Sequence, residues 1–179
     1  MKPLFKKYGL YCLLLCLPAW AWAQPGWKVE DYSIHFKIKN AGFYVDGTLN
    51  DLEASIAFDP ATLKGKIEAS VGVATINTDN RTRDKHLLSA DYFDAARFPR
   101  IYMKSYDFKR AKSGNYIGYF YLTIKDVTRQ VTVPFKFDGK TFDGYLEINR
   151  RDFGVGDKSW ILSDMVKVFI RVNVSRLKN

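Results

Sequence analysis

The chain reads as an all-β protein, an antiparallel barrel or sandwich of about eight strands, and three observations predict it. Run after run alternates apolar and polar residues with a period of two, which puts one face of a strand in a core and the other in water. Short turn signals such as Asp59-Pro60 and Ser113-Gly114-Asn115 separate the runs. No βαβ spacing, internal repeat or low-complexity linker interrupts them.

The N-terminus precedes this pattern. Lys2, Lys6 and Lys7 form a basic n-region, Tyr8 to Leu17 an apolar h-region, and Ala21-Trp22-Ala23 a small-x-small cleavage site. The apolar run is too short to cross a bilayer as a helix, which takes about 20 residues. Residues 1–23 are therefore expected to be a cleaved export signal, and 24–179 a single exported, periplasmic domain. Both cysteines, Cys12 and Cys16, lie in that signal, so the mature domain has no thiol for a disulfide or a metal site. Leu15 stands where a lipoprotein signal needs a small residue, which argues against lipidation at Cys16.

The strands follow in order. Ile34, Phe36 and Ile38 oppose His35, Lys37 and Lys39, and Ala54, Ile56 and Phe58 oppose Glu53 and Ser55. Ile67, Ala69, Val71 and Val73 form a third apolar face. Ile101 to Lys109, Tyr116 to Ile124, Val131 to Phe137 and Tyr145 to Ile148 continue the series. In the last strand Val166, Val168, Ile170, Val172 and Val174 alternate with Lys167, Phe169, Arg171 and Asn173. One segment breaks the alternation, a short helical insert at about 78–94. Its helix is expected over Asp79 to Leu88, with Asn77 or Thr78 as N-cap.

Of the net charge of +9, three lysines belong to the signal; the remaining Lys and Arg are scattered among Asp and Glu along the strands, as on a solvated exterior, and not clustered as nucleic-acid binding requires. Mild, transient attraction to an anionic membrane surface is compatible with it. An eight-stranded barrel is just wide enough to be filled by side chains or to hold one small ligand, and periodicity does not distinguish the two.

The insert Arg83-Asp84-Lys85-His86-Leu87-Leu88-Ser89-Ala90-Asp91-Tyr92-Phe93-Asp94, closing at Phe98-Pro99, carries a specific pattern. Together with Trp27, Val45-x-Gly47, Tyr121-Leu122-Thr123-Ile124 and Asn149-Arg150-Arg151-Asp152-Phe153-Gly154, it resembles the YceI-like polyisoprenoid-binding family over nearly the whole mature chain. The resemblance implies a lipocalin-like barrel with an apolar interior that takes up an isoprenoid lipid, a quinone or a polyprenol, with no catalytic role, metal or other cofactor. Family members often carry histidines where Tyr32, Asn40 and Lys125-Asp126 stand here, so contacts built on those histidines are not expected; only His35 and His86 remain in the mature chain.

If the interior is hollow, the residues expected to meet the tail are Phe36, Ile38, Phe58, Ile67, Phe120, Leu122, Phe135, Phe137, Ile148, Phe153, Val168 and Ile170. Burial of about 0.8 kcal/mol per CH₂-sized group makes a five-carbon unit worth roughly 4 kcal/mol before ordering costs. Arg81, Arg83, His86 and Arg151 are candidates for a polar headgroup. Alternatively, Asp84 pairs locally with Arg81, His86 fixes the insert to the barrel, and an Arg–Asp pair ties the loop after Asn149 to the rim. Two other function classes stay open at this point. One is an interaction module or homodimer using exterior Tyr102, Tyr106, Tyr119, Tyr121 and Phe169, the alternative for Tyr119 and Tyr121 being that the faces of Tyr116 to Ile124 are inverted. The other is an enzyme, for which the sequence offers poor raw material: no mature Cys, no G-x-S-x-G and no H-E-x-x-H.

Overall fold

The computed structural model describes residues 26–177. The expected export signal and both cysteines lie outside them. Eight strands close into one antiparallel barrel in sequence order: β1 (Trp27–Asn40), β2 (Phe43–Phe58), β3 (Gly65–Asn77), β4 (Arg100–Arg110), β5 (Tyr116–Ile124), β6 (Val127–Phe137), β7 (Thr141–Asn149) and β8 (Leu162–Arg176). Closure decides between barrel and sandwich, and it is made by the first and last strands, paired from Trp27↔Arg176 to Asn40↔Leu162. A closed sheet leaves no unpaired edge.

Several strands run beyond the alternating cores that the sequence displays. β2 begins at Phe43, through a stretch holding Asp46, Asn50 and Asp51 whose polar character hides it. Its register against β3 shifts between Asn50 and Glu53, where Asp51 takes a positive φ of 56°. Arg100 fastens this irregularity, donating to Asp51 Oδ2 at 2.6 Å and to Ser70 Oγ at 2.8 Å. In β4 a bulge at Tyr106 lets both Ser105 and Phe108 face inward. Gly47 is required where the ring of Phe36 on the paired strand lies across it, so a Cβ there would collide with that ring.

The insert contains one short helix, α1 (Arg81–Leu87), two residues later at its start than expected. Asp79 has a left-handed φ of 58°, which the helix cannot begin through, and Asn80 caps instead by accepting from Arg83 N at 3.0 Å. Thr78 is buried and spent on a different bond set. Its N–H and hydroxyl donate to Asp84 Oδ1, while its hydroxyl and carbonyl accept from Arg83 Nε and Nη2. Asp84 therefore anchors α1 to the end of β3 and makes no pair with Arg81.

The two ends of the barrel differ. One is stoppered by aromatic side chains from the strand ends: Trp27, Phe58, Phe108, Tyr116, Phe137 and their neighbours. Phe58 is fully enclosed, with its ring centroid 4.8 Å from Phe108; Phe137 stacks on Phe142 at 4.0 Å. Trp27 Nε1 donates to Phe58 O at 2.8 Å, so the one polar atom of the indole is satisfied within the plug. At the opposite end lie the β1–β2 hairpin, α1, and the loop 150–161 between β7 and β8.

Candidate functional site

Between the plug and that opposite end the barrel encloses a cavity of about 500 Å³, within the usual range for a small-molecule site. Every strand contributes inward side chains. Phe36 and Ile38 of β1, Ile67 of β3, Phe120 and Leu122 of β5, Phe135 of β6, Ile148 of β7, and Val168 and Ile170 of β8 all lie on its wall, as their strand parity dictates. Phe120, Phe135 and Phe142 form the floor, since each also packs into the aromatic end. Space exists because small residues meet large ones. Ala54 and Ala69 sit directly opposite one another on β2 and β3, both facing the cavity, where two larger side chains would fill it.

Three expected wall residues are elsewhere. Phe58 and Phe137 point inward with the right parity but lie too near the strand ends, and are consumed by the plug beneath the floor. Parity fixes the face of a residue, not its depth. Phe153, in the 3₁₀ turn Arg150–Phe153, is buried to 1 % outside the cavity proper. β6 and β7 are hydrogen-bonded only from Phe135↔Gly144 to Phe137↔Phe142. Above that point Phe153 and Val155 fill the gap between the parted strands, packing against Leu122, Ile124, Val131 and Ile148.

The mouth is the polar part of the site. Asn40, Thr78, Arg83, His86 and Ser159 reach the cavity there. Arg83 is half-buried, and with Nε and Nη2 held by Thr78, its Nη1 has no hydrogen-bond partner among the described residues. His86 is exposed, its ring edge-on to Tyr92 at 4.9 Å. The other two headgroup candidates are not on the wall: Arg81 opens α1 on its exposed side, and Arg151 is exposed beside Asp164 at 3.5 Å. Arg150 borders the cavity but is only 4 % exposed. It donates to the carbonyls of Ser163, Val155 and Asp157 and to Asp164 Oδ1, between 2.7 and 3.0 Å. With four of its five N–H groups engaged, it ties the 150–164 loop to the barrel. Of the expected exterior aromatics, Tyr106 stands 4.7 Å from Tyr121 and 6.0 Å from Tyr119 on the outer face, and Phe169 pairs there with Tyr145 at 5.1 Å; Tyr102 is half-exposed and also borders the cavity.

The arrangement among the described residues is an apolar tube stoppered at one end, with a few polar groups at its mouth. Among the described residues, no three His, Cys, Asp or Glu side chains gather as metal ligands would.

The model of the YceI-like domain matches residues 27–174. The chain belongs to the YceI-like family. Its relatives include a UPF0312 protein of Pseudomonas fluorescens, 33 % identical over 138 residues, covering 68 % of this chain and 70 % of the relative. A UPF0312 protein of Yersinia enterocolitica is 29 % identical over 159 residues, covering 81 % of each. Among solved structures, BcnA of Burkholderia cenocepacia superposes with a TM-score of 0.76 at 27 % identity, over 83 % of this chain and 99 % of BcnA. A polyisoprenoid binding domain from Saccharophagus degradans shares the fold, with a TM-score of 0.64 at 11 % identity over 87 % of this chain and 99 % of that one. The expected lipocalin-like, eight-stranded barrel is the fold of this family.

Proposed function

We propose that this protein binds an isoprenoid lipid, a quinone or a polyprenol, and carries or sequesters it in the periplasm without transforming it. The single observation behind this reading is the blind apolar cavity with its polar mouth. A branched hydrocarbon tail is recognised by removal of its surface from water, which needs an enclosed apolar wall and no catalytic group. The tail enters first and ends on Phe120, Phe135 and Phe142, while the headgroup stays at the mouth within reach of Arg83 and His86. A quinone carbonyl or a prenol hydroxyl accepts a hydrogen bond from an arginine N–H, and the unengaged Nη1 of Arg83 offers one. The fold shared with a domain described as polyisoprenoid-binding accords with the ligand class.

The test is extraction of lipid from natively purified protein, followed by mass spectrometry. The wild type should yield an intact isoprenoid lipid. Ile170→Asp, which puts a carboxylate on the cavity wall, should yield none; Phe169→Asp, one residue away on the outer face, should remain loaded. A folded Ile170→Asp variant that still carries the lipid would refute the proposed site, and a wild type that never carries or takes up such a lipid would refute the ligand class.

A further inference from the structure

The rim of the mouth bears an exposed apolar patch that extends beyond the cavity wall. Trp160 is 99 % exposed and Phe43 79 %, with Ile161 and Tyr44 also more than half exposed. Single exposed apolar residues are ordinary, but these four adjoin. Ala41 N donates to Ile161 O at 2.7 Å, Asn40 pairs with Phe43 across the hairpin, and Asn40 pairs again with Leu162 on β8. The hairpin 40–43 and the loop 159–162 therefore form one edge of the opening. Lysines accompany the rings: Lys39 Nζ lies 5.3 Å from the centroid of Tyr44, and Lys158 Nζ 5.9 Å from that of Trp160. Neither lysine has an ion-pair partner among the described residues.

Tryptophan and tyrosine with lysine alongside are the side chains that settle at a membrane–water boundary, the rings at the headgroup level and the ammonium on lipid phosphate. The same two segments supply Asn40, Ser159, Ile161 and Leu162 to the cavity wall. A tail leaving a bilayer beneath this edge would reach the cavity past the apolar side chains of Ile161 and Leu162. A second copy fits less well, because apposing two such rims would bring lysine against lysine and seal both mouths.

We infer that the rim formed by Phe43, Tyr44, Trp160 and Ile161 docks on an anionic phospholipid bilayer, with Trp160 and Phe43 entering the interface and Lys39 and Lys158 meeting the headgroups. The inference rests on the carrier reading above and adds the surface from which the lipid is collected. Neither Trp160 nor Phe43 lines the cavity, so both can be changed without touching the binding site.

The experiment is flotation of the protein with vesicles of three parts phosphatidylethanolamine to one part phosphatidylglycerol, and with vesicles of phosphatidylcholine alone. Uptake of farnesol from solution is measured on the same samples. The wild type should float with the anionic vesicles and far less with the zwitterionic ones. Trp160→Ser and Phe43→Ser should each weaken flotation by about tenfold or more, as loss of a large buried ring implies, and should still take up farnesol. A wild type that stays unbound, or variants that float equally well, would overturn docking. Docking is equally overturned if wild type ignores vesicles but forms a dimer that Trp160→Ser splits. Failure of farnesol uptake in every form would strike the carrier reading instead, and flotation would still decide the docking.

Discussion

Replacing Ala69 by phenylalanine tests whether the interior is vacant, because hollow and filled barrels respond with opposite signs. Ala69 faces Ala54 across β2 and β3, and both border the cavity. A CH₂-sized group occupies roughly 30 Å³, about a water's share of liquid volume, so a cavity of about 500 Å³ takes on the order of 15 such groups, or three isoprene units. The added phenyl ring brings about six carbon atoms, slightly more than one unit. Excluding one unit of tail forfeits about 4 kcal/mol of burial, part of which the ring recovers by touching what remains. Affinity for a polyprenyl probe should fall by about 2–4 kcal/mol, on the order of 30-fold to 1,000-fold. Delipidated protein should meanwhile melt at the same temperature or higher, since the ring fills empty space and buries its own surface. Were the interior already packed, the same ring would destabilise by about 1–3 kcal/mol. Calorimetry of the delipidated variant and displacement of a fluorescent polyprenyl probe measure both halves. A lowered melting temperature with unchanged affinity would refute the reasoning.

Other parts of the barrel make their own predictions. Trp27→Phe keeps the aromatic plug but removes the indole donor to Phe58 O, and should cost about 1 kcal/mol in denaturant unfolding with little change in ligand affinity. Arg150→Met removes a buried guanidinium that engages three carbonyls and Asp164; we expect a loss of about 3 kcal/mol and faster amide exchange across 150–164. Asp59 and Asp138 have pKa values below the usual carboxylate range. Asp59 is lowered by the Thr62 hydroxyl and the Ala61 N–H, and Asp138 by the Lys140 and Thr141 N–H groups. Because the folded values lie below the unfolded ones, both carboxylates stabilise the fold above the ordinary Asp pKa of about 3.9, and that stabilisation disappears as pH falls through the lowered values. Asp59→Asn with Asp138→Asn should therefore flatten the acid limb of the stability curve, as read by urea midpoints across pH.

Much of the architecture was legible in the chain because a period of two is a strong signal wherever one face is buried. Val166 to Val174 needed only its alternation to be placed inward and outward correctly. The first half of β2 was not legible, since Asp46, Asn50 and Asp51 mask a strand held by its neighbours and by Arg100. For the cavity, parity identified the inward faces on β1, β5 and β8, yet it could not separate Phe135 on the floor from Phe137 in the plug, two residues along the same strand. Depth depends on where turns fall, and the turn at Asp138-Gly139 was the available hint. Phe153 misled for another reason: it belongs to a segment with no period, filling a gap between β6 and β7 that arises only in the assembled sheet. Arg83 and Arg151 looked alike as sequence and differ because Thr78 draws the first toward the opening.

The seam between β1 and β8 also governs the order in which this molecule comes into being. The strand that begins at Trp27 must wait for the one that ends at Arg176, so the longest-range pairing is also the step that closes the shell. Until β8 emerges, the nascent polypeptide has an open edge on each side and no enclosed interior to reward collapse, and closing so large a loop is slow. Such a chain stays open until β8 is made, and deletion of β8 would abolish the container as a whole instead of shortening it.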